Sequence, residues 1–67
     1  MENKHAHEAL AEHIRAKGMR QRDFAAMIGV REDQLSRWLN GRVRPEFGMR
    51  LYLAAITEGA VPAEAWR

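Results

Sequence analysis

The sequence predicts an all-α fold, a compact bundle of four to five short helices. Apolar residues recur at three- and four-residue steps along most of the 67 residues, without the strict alternation that marks a half-buried strand. Cysteine is absent, so helix packing must stabilise the small core without a disulfide. Glycine follows each apolar run, as it does at many helix ends. These glycines are Gly18, Gly29, Gly41 and Gly59.

The first predicted helix covers about residues 5–17. Its apolar side chains are spaced so that they share one helical face, and polar side chains occupy the other. Gly18 follows the helix and is its predicted C-terminal stop. The apolar face consists of Ala6, Ala9, Leu10 and Ile14.

Two shorter helices are predicted at residues 21–28 and 32–39. Phe24, Ala25 and Ile28 share one face of the first of these. In the second, we expect Leu35 and either Trp38 or Leu39 to point inward. Glu32 and Asp33 lie in its first turn, where negative charge interacts favourably with the helix dipole.

The fourth predicted helix begins with Pro45 as its first residue and ends before Gly59. Its apolar residues are too numerous for one side of a surface helix. A final short turn is predicted at residues 63–66, after Pro62. The surplus apolar surface of the helix and the tail predicts a homodimer interface formed by Tyr52, Ile56, Val61 and Trp66.

The basic side chains are concentrated in the middle of the chain. Residues 15–50 contain nine basic and four acidic side chains, a net charge of +5, whereas the remaining residues carry −3. Nine of the eleven basic residues are arginine, whose planar guanidinium suits phosphates and guanine edges. This distribution indicates a polyanionic partner, although a solvated mixed-charge surface is an alternative.

The two short helices and the turn between them have the spacing of a helix-turn-helix unit. Ala25 is small where the helices must cross closely, and Gly29 permits the positive φ that such a turn requires. Val30 fills the space beneath the turn, and Leu35 anchors the following helix from inside.

The segment QRDFAAMIGVREDQLSRWLNGRVRP resembles the phage Cro/CI-type helix-turn-helix family, also called the xenobiotic-response-element family. The tail ITEGAVPAEAW is similar to the ending of short Cro-like regulators. The resemblance covers residues 8–66 and implies that residues 1–67 form a single helix-turn-helix DNA-binding domain. The matching residues are Gln21, Phe24, Ala25, Gly29, Val30, Leu35, Trp38, Asn40, Gly41 and Pro45.

This resemblance implies that the third helix enters the major groove of DNA by its N-terminal half. The residues that it offers to bases are Arg31, Glu32, Asp33, Ser36 and Arg37. Among these, Arg37 is the first candidate for a bidentate contact with guanine O6 and N7. The phosphate-contact candidates are Gln21, Arg22, Gln34 (or an adenine contact for Gln34), Asn40, Arg42 and Arg44.

The chain departs from the family pattern at Glu32 and Asp33, where Gln, Ser or Thr is frequent. Carboxylates facing phosphates lower the affinity for DNA unless they accept a hydrogen bond from cytosine N4 or adenine N6. Alternatively, they pair with Arg31, Arg37 or another arginine and hold it in position.

The resulting functional prediction is a transcriptional regulator, a repressor from a phage or mobile element, acting in the cytoplasm of a bacterial host. A short recognition helix contacts few base pairs, so we expect a homodimer on an inverted-repeat operator in double-stranded DNA. A protein-interaction module on the same fold is the alternative, which the acidic start of the third helix favours.

Other classes of function have little support in the sequence. His5, His7 and His13 do not form a defined metal-ligand set, and His5 and His7 cannot share a helical face. We expect no catalytic residue, cofactor or small-molecule ligand, since no phosphate-cradling glycine loop or nucleophilic cysteine is present. The longest apolar run is far shorter than the roughly 20 residues that span a membrane.

Overall fold

The computed structural model describes residues 5–66, which contain helices and no strand. The helices are α1 (Ala6–Ala16), α2 (Gln21–Ile28), α3 (Glu32–Leu39), α4 (Phe47–Ile56) and a C-terminal 3₁₀ helix (Ala63–Ala65). The all-α prediction is therefore confirmed, and α2 and α3 have the predicted bounds. The 3₁₀ helix takes the place of the predicted final turn.

One core joins the five elements. The predicted inward faces of α1, α2 and α3 are buried except for Ala9, which is partly buried against the core, and α3 packs against both α1 and α2. Of the two alternatives in α3, Trp38 is the residue that points inward beside Leu35, whereas Leu39 is only partly buried against the core. The buried apolar residues are Ala6, Leu10, Ile14, Phe24, Ala25, Ile28, Leu35, Trp38, Leu53, Val61 and Trp66.

The turn between α2 and α3 has the conformation that the sequence predicts. Gly29 has a φ of 80°, a left-handed backbone that side-chain-bearing residues rarely adopt. The Val30 N–H donates to the Ala25 carbonyl at 3.0 Å, which closes the end of α2. Val30 itself packs against the core from beneath the turn. These contacts fix the direction of α3 relative to α2.

The start of α4 differs from the prediction. Pro45 is not its first residue: the helix begins at Phe47, and Glu46 is the N-cap with an extended backbone (φ −66°, ψ 165°). The Pro45 ring is fully buried. Pro45 therefore lies in the loop before the helix, separated from its first turn by the extended backbone of Glu46.

The tail folds back onto α4, which corrects part of the predicted dimer interface. The buried Thr57 hydroxyl donates to the Leu53 carbonyl at 2.7 Å and accepts the Val61 N–H at 3.2 Å. Val61 and Trp66 are consequently 0% and 6% exposed. The prediction that these two residues offer a surface to a partner is wrong, because their side chains complete the chain's own core.

Candidate nucleic-acid interface

α3 presents a polar, solvent-exposed face opposite its buried side. Leu35 and Trp38 anchor the helix inside the domain. The residues predicted to contact bases all lie at the surface. Arg31, Glu32, Asp33 and Arg37 are exposed, and Ser36 is half-buried. Asp33 and Arg37 are four residues apart, so they project from the same face of the helix.

An ion pair at the start of α3 accounts for one of its two carboxylates. The Arg31 guanidinium lies 3.3 Å from the Asp33 carboxylate, between Nε and Oδ1, with a second contact of 3.4 Å. Since both side chains are largely exposed, the pair contributes less than about 1 kcal/mol to stability. Its consequence is geometric: the Asp33 carboxylate is held against the Arg31 guanidinium.

Arg37 remains available for a ligand. Among residues 5–66, no carboxylate is paired with its guanidinium, which is exposed on the outer face of α3. Arg37 and Gln34 border a shallow groove that continues to Arg44 in the following loop. An arginine of this kind can donate two parallel hydrogen bonds to a planar acceptor such as a guanine edge.

The loop after α3 carries exposed basic residues beside this face. The Gly41 N–H donates to the Trp38 carbonyl at 3.0 Å, and the Arg42 N–H donates to the Arg37 carbonyl at 3.1 Å. These bonds fix the path of the loop as it leaves the helix. The predicted phosphate contacts Asn40, Arg42 and Arg44 are all exposed.

The remaining predicted phosphate contacts lie at the start of α2 and on α3. Arg22 and Gln34 are exposed and Gln21 is half-buried. Arg20, which was not among the predicted phosphate contacts, is the exposed N-cap of α2. Its backbone position beside the free N–H groups of a helix start is a signal for anion contact that the sequence already contained.

Gly41 is also the point where α1 meets this loop. It has a φ of 74°, and a Cβ atom built there would lie 3.1–3.2 Å from three atoms of the His7 ring. The His7 and His5 rings stack with their centroids 5.6 Å apart. The expectation that these two histidines cannot share a face is therefore wrong, because His5 precedes α1 with an extended backbone.

We expect Gly41→Ala to destabilise the domain more than Gly18→Ala does. Both glycines have a left-handed backbone, in which alanine costs roughly 1–2 kcal/mol. Nothing lies within 4 Å of a Cβ at Gly18, whereas at Gly41 the His7 ring must move. Urea denaturation of the two variants measures the difference, for which we expect about 1 kcal/mol. Adding His7→Ala should abolish it, and equal losses in the two variants would contradict the contact.

α4 exposes an apolar face, and the guanidinium of Arg50 lies 5.4 Å from the centroid of the Phe47 ring at one end of it. Phe47, Leu51 and Tyr52 are 62%, 50% and 43% exposed. Gly48 and Ala55 are the other exposed residues of this helix. Of the residues predicted at the dimer interface, Tyr52 lies on this face, and Ile56 is half-buried against the core. Phe47 and Leu51 were not among the residues predicted at the interface.

Residues 5–66 contain no group of three or more His, Cys, Asp or Glu side chains placed to hold a metal ion. Within residues 5–66, every helix is too short or too polar to cross a membrane.

Comparison with known proteins agrees with this geometry. A family model described as helix-turn-helix, of the Cro/C1 type, matches residues 10–49. The match contains all of α2 and α3 and the turn between them, together with the basic loop. Neither a curated protein nor a solved structure matches the chain.

Proposed function

From the premise that the chain belongs to the Cro/C1-type helix-turn-helix family of DNA-binding regulators, we propose that it is a repressor acting as a homodimer. Its operator is an inverted repeat in double-stranded DNA. The observation that carries the proposal is the outer face of α3, where Arg37 is exposed and unpaired among the described residues, with Arg42 and Arg44 beside it. Repression follows from occlusion of RNA polymerase.

The positions of the arginines on this surface support two different roles in DNA binding. Arg37, on the helix that enters the groove, reaches base edges. Arg42 and Arg44, in the flanking loop, neutralise phosphates and hold the helix in register. Asp33 is compatible with this arrangement because Arg31 already pairs with it at 3.3 Å.

The exposed apolar side chains of α4 support the homodimer. An eight-residue helix contacts too few base pairs to select a site within a genome. Two copies related by a two-fold axis double the number of contacts, with half-sites about 34 Å apart. In such a dimer Phe47, Leu51 and Tyr52 of each copy pack against the other copy, which removes these exposed side chains from water.

Selection of bound sequences from random duplexes tests this function directly. We expect a recovered motif with two-fold symmetry. A motif without symmetry would contradict the dimer, and failure to enrich any duplex at micromolar protein would contradict specific DNA binding. The second result would favour a protein partner, as the exposed Glu32 at the start of α3 suggests.

We expect Arg37→Ala and Arg42→Ala to weaken operator binding in different ways. Arg37→Ala should cost about 1–3 kcal/mol and relax the preference at one base position of each half-site. Arg42→Ala should weaken binding to specific and random duplexes alike and reduce the salt slope by about one unit. Fluorescence anisotropy at several salt concentrations measures both effects.

Lys17→Ala provides the control for charge alone. It removes one positive charge at the end of α1, outside the proposed contacts, and should leave the base preference unchanged. If Arg37→Ala lowered the affinity for operator and random duplex by the same factor, Arg37 would be a phosphate contact instead.

A further inference from the structure

The N-terminal end of α1 forms a cleft with the loop that follows α3. Its volume is about 670 Å³, and it is open to solvent on one side. Trp66 lines it, and the buried Nε1 of this residue has no hydrogen-bond acceptor among residues 5–66. The charged or titratable side chains that line the cleft are those of His5, His7, Arg42 and Arg44.

No carboxylate lines the cleft. Glu8 on α1 accepts a hydrogen bond from the His5 backbone N–H at 3.2 Å. Glu64 is exposed on the 3₁₀ helix, and neither side chain borders the cleft. Two arginines and two imidazoles therefore converge on one space without a compensating negative group, an arrangement that favours an anion.

The cleft continues the surface of α3. Val43 and Arg44 border both this cleft and the groove beside Gln34 and Arg37. A ligand that lies along α3 and passes Arg44 therefore reaches His7, whose ring packs against Gly41. A DNA strand is such a ligand, because its phosphates repeat along the backbone at regular intervals.

We propose that this cleft binds one backbone phosphate of the operator, and that the His5–His7 pair takes up a proton when the phosphate enters. The inference rests on the DNA-binding function proposed above and extends the interface to α1. An imidazole changes its charge between about pH 5 and pH 8. A phosphate in the cleft attracts a cationic imidazole more strongly than a neutral one, so protonation and DNA binding favour each other.

The sign of the pH dependence follows from this linkage. Protons are taken up on binding, so the affinity for DNA rises as the pH falls. We expect the Kd for the selected operator to increase about tenfold between about pH 6 and pH 8 at constant ionic strength. The variant with His5→Gln and His7→Gln should lose this dependence and match the wild-type Kd at the alkaline end.

His13→Gln is the matched control. His13 lies on the same helix but six residues beyond His7, about 9 Å along the helix axis, and does not line the cleft. This variant should keep the full pH dependence. A wild-type Kd that is independent of pH, or a double variant that retains the dependence, would overturn the proposal.

A duplex with single uncharged linkages tests whether a DNA phosphate occupies the cleft. Uncharged methylphosphonate linkages, introduced one at a time beyond the bases that α3 contacts, each remove one negative charge. We expect a methylphosphonate at one position in each half-site to abolish the pH dependence of binding. If the pH dependence persisted with the substitution at every position, no duplex phosphate would occupy the cleft. If the operator binds without pH dependence, only this inference fails. If no duplex binds at any pH, the proposed function fails with it.

Discussion

Trp66→Ala should leave most of the protein unfolded at 25 °C. The indole ring is 6% exposed and completes the core beside Val61. Replacing a buried aromatic side chain by alanine costs about 3–5 kcal/mol. A core of this size rarely supplies more than about 3–5 kcal/mol in total, so the loss is comparable to the whole stability. Circular dichroism during urea denaturation measures the effect.

Trp66→Phe tests whether the loss of stability in Trp66→Ala comes from lost packing of the aromatic ring. Phenylalanine keeps most of the apolar ring and removes the buried indole N–H, which has no acceptor among the described residues. We expect this variant to stay folded. If Trp66 served only as a contact between two copies, Trp66→Ala would instead give a folded monomer, and the loss of stability would be absent.

Leu51→Glu should separate the two copies of the proposed dimer without unfolding either one. The side chain is 50% exposed, so its replacement changes the stability of the monomer by about 0.5 kcal/mol or less. In an isologous interface each substitution appears twice, and two buried carboxylates face the same apolar surface. We expect dimer formation to weaken at least about 100-fold, equivalent to about 3 kcal/mol.

Sedimentation velocity and operator binding together measure this loss. The apparent affinity for the two-half-site operator should fall, whereas affinity for a duplex with one half-site should stay the same. Met27→Glu is the matched control, because Met27 is also an exposed apolar residue, at 55%, but lies on α2. Equal weakening by both substitutions, or none by Leu51→Glu, would place the contact elsewhere.

Local signals in the sequence predicted the helix-turn-helix unit accurately. The bounds of α2 and α3 follow from the apolar spacing and from Gly29, whose left-handed backbone ends α2. The exposed positions of Arg31 and Arg37 follow from the same spacing, because Leu35 and Trp38 occupy the opposite side of α3. Neighbouring residues along the chain determine all of these features.

The start of α4 shows where a local preference fails. Proline is favourable in the first turn of a helix, and this preference predicted Pro45 there. Burial of its ring within the domain outweighs the preference and moves the helix start to Phe47. Only the positions of the other elements determine whether that ring can be buried.

The sequence by itself determined the helix-turn-helix unit, its basic loop and the apolar surplus near the C-terminus, since all three depend on short-range spacing and composition. Only the tertiary structure decided which apolar residues close the domain's own core and which stay exposed: the tail turns back at Thr57 and buries Val61 and Trp66. The tertiary structure alone also brought His7 into contact with Gly41, which lies 34 positions away in the sequence. Contacts between distant segments depend on how helices pack, which no local pattern encodes.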